Sequence, residues 1–193
     1  MSASQVLTET ARSQAADRSR LPDLPNPCST LVVGLGNPIL GDDGIGWVVA
    51  NRVRQVLKDK QDVNVECLSL GGLSLMEQLV GYHRVLLIDA ISSTTSSPGE
   101  VYSSSLEDLE DPSRGHTSSS HDTTLQNALQ VGRSLNVDLP EEIIVVGVTT
   151  NQSFDFSENL SPSVAAAVPQ AVQLVINLLT ENGSMHPKER SDL

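Results

Sequence analysis

Apolar residues recur along this chain with two alternating periods. Leu31-Val-Val33, Val85-Leu-Leu-Ile88 and Ile143-Ile-Val-Val146 are continuous aliphatic runs of strand length, the pattern of strands covered on both faces. They predict strands over Thr30–Leu35, Arg84–Ala90 (with Asp89 closing the run) and Glu142–Thr149. Val63, Val65 and Cys67 alternate and predict a further strand over Val63–Leu70, while Glu100–Ser104 suits a shorter one. Between these runs the spacing changes to three and four. Ile45, Val48, Val49, Val53, Val56 and Leu57 predict a helix over about Gly44–Lys58, and a short helix over Leu73–Val80 follows Gly71-Gly72. Leu125, Ala128, Leu129 and Leu135 mark a helix over His121–Leu135. Ser161-Pro162-Ser163 starts a last helix through Leu179, with Pro162 suited to the first turn and Pro169 predicting a kink or break inside it.

Strands alternating with helices predict an α/β domain, a three-layer sandwich. Its centre is a twisted, mostly parallel sheet of about five strands with helices on both faces. The domain spans 30–181. Residues 1–29 are rich in Ser, Ala, Asp and Pro and read as a disordered extension, and 182–193 as a flexible polar tail. Leu106–Ser120 turns acidic and then Ser-rich, which predicts an exposed loop.

Composition narrows the partners. The chain has 193 residues, 38% of them hydrophobic and only 3% aromatic, enough for one aliphatic core. Twelve Lys and Arg oppose 24 Asp and Glu, a formal charge of -12 that repels nucleic acid and anionic lipid. Cys28 and Cys67 have no finger or CxxC spacing, which points to a reducing compartment. The first residues lack the apolar core of a signal peptide, and the pattern offers no stretch that reads as a membrane span. A cytoplasmic protein is the expectation.

Candidate chemistry gathers where strands end, since ligands bind at the carboxyl edge of a parallel sheet. The first strand runs into Gly34-Leu-Gly-Asn-Pro38 and then Asp42-Asp43; the third closes on Asp89; His121 opens a helix whose start falls on the same edge if that helix is a crossover. Two carboxylates and an imidazole form a mixed oxygen and nitrogen donor set suited to zinc or nickel, and a helix N-terminus favours the neutral imidazole such a ligand needs. Structural roles compete at each position: Asp42 or Asp43 as a helix cap, Asp89 as an acceptor for loop amides, His121 as a solvated loop residue. His83, His116 and His186 carry no site pattern. Gly34-Leu-Gly36 lacks the third glycine of a dinucleotide fingerprint, and there is no Walker lysine, HExxH or GxSxG.

Taken in order, Gly34 to Gly46, Gly71-Gly72, Leu87-Ile-Asp-Ala90, Ser120-His-Asp122, Gly147-Val148 and Ser161-Pro-Ser-Val164 resemble the [NiFe]-hydrogenase maturation endopeptidases. The resemblance runs from about Leu31 through Leu179. It implies a hydrolase that removes a C-terminal extension from a hydrogenase large-subunit precursor after nickel insertion, recognising the inserted nickel. By that resemblance the metal-contacting and catalytic residues are Asp43, Asp89 and His121, with acid or metal chemistry both open. Gly71, Gly72 and Asp42 would meet the substrate tail. Nickel comes with the precursor, and the same donors admit another divalent cation in the isolated protein. Residues 1–29 have no counterpart in the compact family pattern, and the Ser-rich loop makes His116 the rival of His121. Two other functions share these residues: a nickel-dependent docking or checkpoint protein that does not cut, and a peptidyl-tRNA hydrolase, whose opening resembles Val33-Gly-Leu-Gly-Asn-Pro38 but which needs a basic RNA surface.

Overall fold

The computed structural model describes residues 30–58, 62–93, 95–109, 120–151 and 156–181. The proposed extension, tail and Ser-rich loop, with Cys28, His116 and His186, lie outside them. Five strands form one sheet: β1 (Thr30–Leu35), β2 (Val63–Leu68), β3 (Arg84–Ser92), β4 (Val101–Ser105) and β5 (Glu142–Thr150). Their order is β2-β1-β3-β5-β4. The first four in that order run parallel, and β4 closes the edge antiparallel to β5. Among the described residues the α-helices are α1 (Ile45–Val56), α2 (Gly72–Leu79), α3 (Ser120–Ser134) and α4 (Pro162–Glu181).

The aliphatic runs fill two cores, one on each side of the sheet. Val32, Leu86, Ile88, Val146 and Val148 point to the face covered by α1 and α4; Leu31, Val33, Val85, Leu87 and Val145 point to the face covered by α2 and α3. Alternation of successive side chains across a strand produces this division. The central strand β3 is buried from Arg84 through Ile91, so it passes Asp89 by three residues instead of ending there.

Helical periodicity held at most predicted positions and failed at two. Val56 is 63% exposed although the next residue, Leu57, is buried in the core, and Leu135, 70% exposed, falls just past the end of α3. Leu106 differs from the predicted exposed loop: it is buried against the α2–α3 core, its N–H bonded to the carbonyl of Ile143. Pro169 does not break α4, which runs unbroken over 20 residues. By length and composition α4 is apolar enough to cross a membrane, with a mean hydropathy of 1.5 over 18 residues, unlike the expectation that no stretch would be. Its Val164, Ala167, Val168, Ala171 and Val175 are buried against the sheet and α1, while 28% of the apolar window as a whole is buried.

Candidate active site at the carboxyl edge of the sheet

Three helices start at one edge of the sheet because each follows a parallel strand: α1 after β1, α2 after β2 and α4 after β5. α3 precedes the parallel strand β5, so its first turn returns to the same edge. The strand order reverses between β1 and β3, the crevice in which open α/β sheets place ligands.

The acid loop begins where β1 ends. Gly36 has φ +113°, and a side chain there would meet the Asp43 carbonyl oxygen at 1.9 Å, so only glycine lets the loop fold back on itself. Asn37 organises the turn: its side-chain oxygen accepts the Ile39 N–H at 3.2 Å and its carbonyl the Leu40 N–H at 3.1 Å. A 3-10 turn, Gly41–Gly44, then carries both acids into α1.

Neither acid caps α1, whose N-cap is Gly44 with no side-chain bond. Instead the two carboxylates face different partners. Asp43 Oδ2 accepts the Asn37 N–H at 2.6 Å, closing the loop upon itself. Asp42 Oδ1 accepts the Ser161 N–H at 2.6 Å, 119 residues away, just ahead of α4. Around that contact Gly41 N–H reaches the Ser157 carbonyl at 2.6 Å and Ser157 N–H the Ile39 carbonyl at 3.0 Å. The acid loop is thus clasped to the segment that leads into the last helix. Position in the sequence carried no signal for this division of labour.

Asp89 is 1% exposed, and its Oδ1 accepts the N–H of Ala90 at 2.9 Å. The last registered pair between β1 and β3 is Gly34 with Ile88, so Asp89 stands one step beyond, where β1 becomes the acid loop. Its side chain alternates with that of Ile88 and so faces α2 and α3. His121 lies in the first turn of α3, on that same face and edge; its side chain lies outside the described residues. Gly71 and Gly72 start α2 at this edge, and Ser69 beside them donates to the Gly36 carbonyl at 2.7 Å, joining the exits of β1 and β2.

Backbone topology therefore puts the segments carrying Asp43, Asp89 and His121 at one edge. Among the described residues no three His, Cys, Asp or Glu side chains form a metal-holding cluster. Burial pushes the Cys67 thiol above the ordinary range, outweighing the neighbouring Arg54, which disfavours the reactive thiolate.

Comparison with known proteins agrees with this architecture. The sequence model of the hydrogenase maturation protease family HycI matches residues 48–178, about two thirds of the chain. The match includes Gly71, Gly72, Asp89 and His121 and begins just after the acid loop. Among solved structures, the chain resembles the hydrogenase maturating endopeptidase HybD from E. coli with a TM-score of 0.64 and 27% identity, over 80% of this chain and 94% of that one. The [NiFe] hydrogenase maturation protease HybD from Thermococcus kodakarensis gives a TM-score of 0.58 at 27% identity, over 78% and 98%. The hydrogenase 2 maturation peptidase from Thaumarchaeota archaeon SCGC_AB-539-E09 gives 0.54 at 28% identity, over 78% and 97%. No curated protein sequence matches the chain.

Proposed function

The chain belongs to the hydrogenase maturation protease family, and from that premise we propose that it removes the C-terminal extension of a [NiFe]-hydrogenase large-subunit precursor after nickel has been inserted. The observation that supports the proposal is the family match, together with a topology in which the acid loop and Asp89 border the β1–β3 crevice and α3 begins at the same edge of the sheet.

In this proposal nickel is part of the substrate. Asp43, Asp89 and His121 supply two oxygen donors and one nitrogen donor, a set matched to a borderline divalent cation. A loaded precursor brings the cation that completes the set. An unloaded precursor leaves two carboxylates and an imidazole with nothing to bind, so docking there forgoes the metal contact. Such a contact contributes several kcal/mol where a cation also polarises the scissile carbonyl, enough to separate the two precursors by orders of magnitude in rate. Gly71 and Gly72 carry no side chain to keep an extended tail from approaching the α2 backbone. The isolated protein would hold another divalent cation through the same three residues.

The experiment is incubation of the protein with nickel-loaded and nickel-free precursor, followed by mass analysis of the precursor's C-terminus. Shortening of the loaded form alone is expected, abolished in Asp43→Ala, Asp89→Ala and His121→Ala variants that still fold. Equal processing of both forms, or of neither, refutes nickel-gated cleavage. An intact tail within a stable complex assigns the protein to docking without cutting, and retained processing in His121→Ala moves the imidazole role to His116.

A further inference from the structure

Gly147 lies in the middle of β5, the buried strand whose Gly-Val pair stood out in the sequence. Cross-strand register gives its setting. Asp89 pairs with Gly147 between β3 and β5, and Gly147 pairs with Tyr102 between β5 and β4, so the three form one row across the sheet. All three belong to the face covered by α2 and α3. Asp89 alternates in phase with Val85 and Leu87, Gly147 with Val145, and Tyr102 out of phase with Val101, which packs on the opposite core.

A side-chain carbon at Gly147 would meet Tyr102 Cζ at 2.7 Å and the Tyr102 hydroxyl oxygen at 2.9 Å, with Ile91 Cγ1 also at 2.9 Å. The hydroxyl end of the Tyr102 ring therefore fills the place a side chain would take at 147. The hydroxyl end thus lies over β5, and Asp89 is the next residue in the row, one strand spacing of about 4.8 Å away. Asp89 is almost fully buried, and a buried carboxylate needs donors on its oxygens. The Ala90 N–H serves Oδ1.

We propose that Tyr102 is a positioning residue of this site: its hydroxyl donates a hydrogen bond to the Asp89 carboxylate across the space kept open by Gly147, fixing how that carboxylate faces the substrate. The orienting role rests on the function proposed above; the hydrogen bond does not. Partners of this kind, bonded to a metal-contacting carboxylate, change metal affinity or activity about 10–100-fold when removed.

The chain has two tyrosines, which makes a direct test practical. Labelled with 3-fluorotyrosine, it gives two fluorine resonances, and loss of one in Tyr102→Phe assigns them. Tyr82 serves as internal reference, since its hydroxyl meets Asn64 Nδ2 at 2.9 Å, away from Asp89. Asp89→Asn is expected to move the Tyr102 resonance and leave Tyr82 in place, as is Gly147→Ala, which displaces the phenol. An unmoved Tyr102 resonance in folded Asp89→Asn overturns the hydrogen bond. Tyr102→Phe keeps the ring packing and is expected to lower kcat/KM for loaded precursor about 10–100-fold, assayed well below its melting midpoint, which should fall by about 3–6 °C as the buried carboxylate loses a donor. Wild-type kcat/KM in that variant overturns the positioning role. If the wild-type protein processes no precursor, the proposed function fails, while the fluorine shift still decides the contact.

Discussion

Substituting Asp42 separates its structural role from that of its neighbour. Its carboxylate accepts the Ser161 N–H at 2.6 Å immediately before the 20-residue helix α4, acting as a cap delivered from a distant loop. A hydrogen bond to a charged acceptor is worth about 1.5–3 kcal/mol; Asp42 is only half-buried, which favours the lower end, about 1.5 kcal/mol. For a domain of this size each kcal/mol moves the melting midpoint by about 2–4 °C. Asp42→Ala should therefore melt about 3–6 °C below wild type. Asp42→Asn keeps an oxygen acceptor and loses only the attraction between a negative charge and the α4 N-terminus, about 0.3–1 kcal/mol, so it should fall between. Thermal melts followed by circular dichroism check the order, and urea titrations should show a lower midpoint with an unchanged slope. A wild-type midpoint for Asp42→Ala, or equal losses in both variants, refutes the clasp as a hydrogen bond.

Two further substitutions probe the packing that supports the site. Gly46 lies where α1 meets the sheet, and a side-chain carbon there would stand 2.2 Å from the Leu35 carbonyl oxygen and 2.4 Å from that of Ile88. Gly46→Ala should cost about 3 kcal/mol or more, since both obstacles are backbone; a denaturation midpoint near wild type would show that α1 can shift. Leu125, fully buried, and Leu135, 70% exposed, belong to the same predicted stripe of α3. Leu125→Ala should lose about 2–5 kcal/mol and Leu135→Ala about 0.5 kcal/mol or less, measured by urea unfolding; similar losses would contradict the observed burial.

Much of the fold was legible in the chain because it rests on local pattern. Aliphatic runs of four or so residues can only be satisfied by burial on both sides, which made Val85–Ile88 and Ile143–Val146 central strands before any partner was known. The acids after β1 and inside β3 could be placed on one edge because parallel strands share a direction. The pattern erred at Val56, which faces solvent, at Leu135, which falls beyond the end of α3, and at Leu106, which opens an acidic stretch yet packs inward. At the site, the family resemblance assigned Asp42 and Asp43 different roles, but residue pattern alone gave no sign that Asp42 would hold Ser161, since each is an acid in the same turn. Tyr102 and Gly147, 45 positions apart, bore no motif connecting them.

What the sequence by itself determined was the succession of strands and helices, the faces they bury and the acids that follow β1 and stand within β3. Those depend on residue spacing within one segment, and spacing is written in the chain. Only the tertiary structure decided that β1 lies between β2 and β3, that β4 turns antiparallel at the edge, that Asp42 holds α4 while Asp43 closes its own loop, and that Tyr102 lies over Gly147, the register partner of Asp89. Each of these depends on which distant segments touch, and that choice is made by packing the whole domain at once.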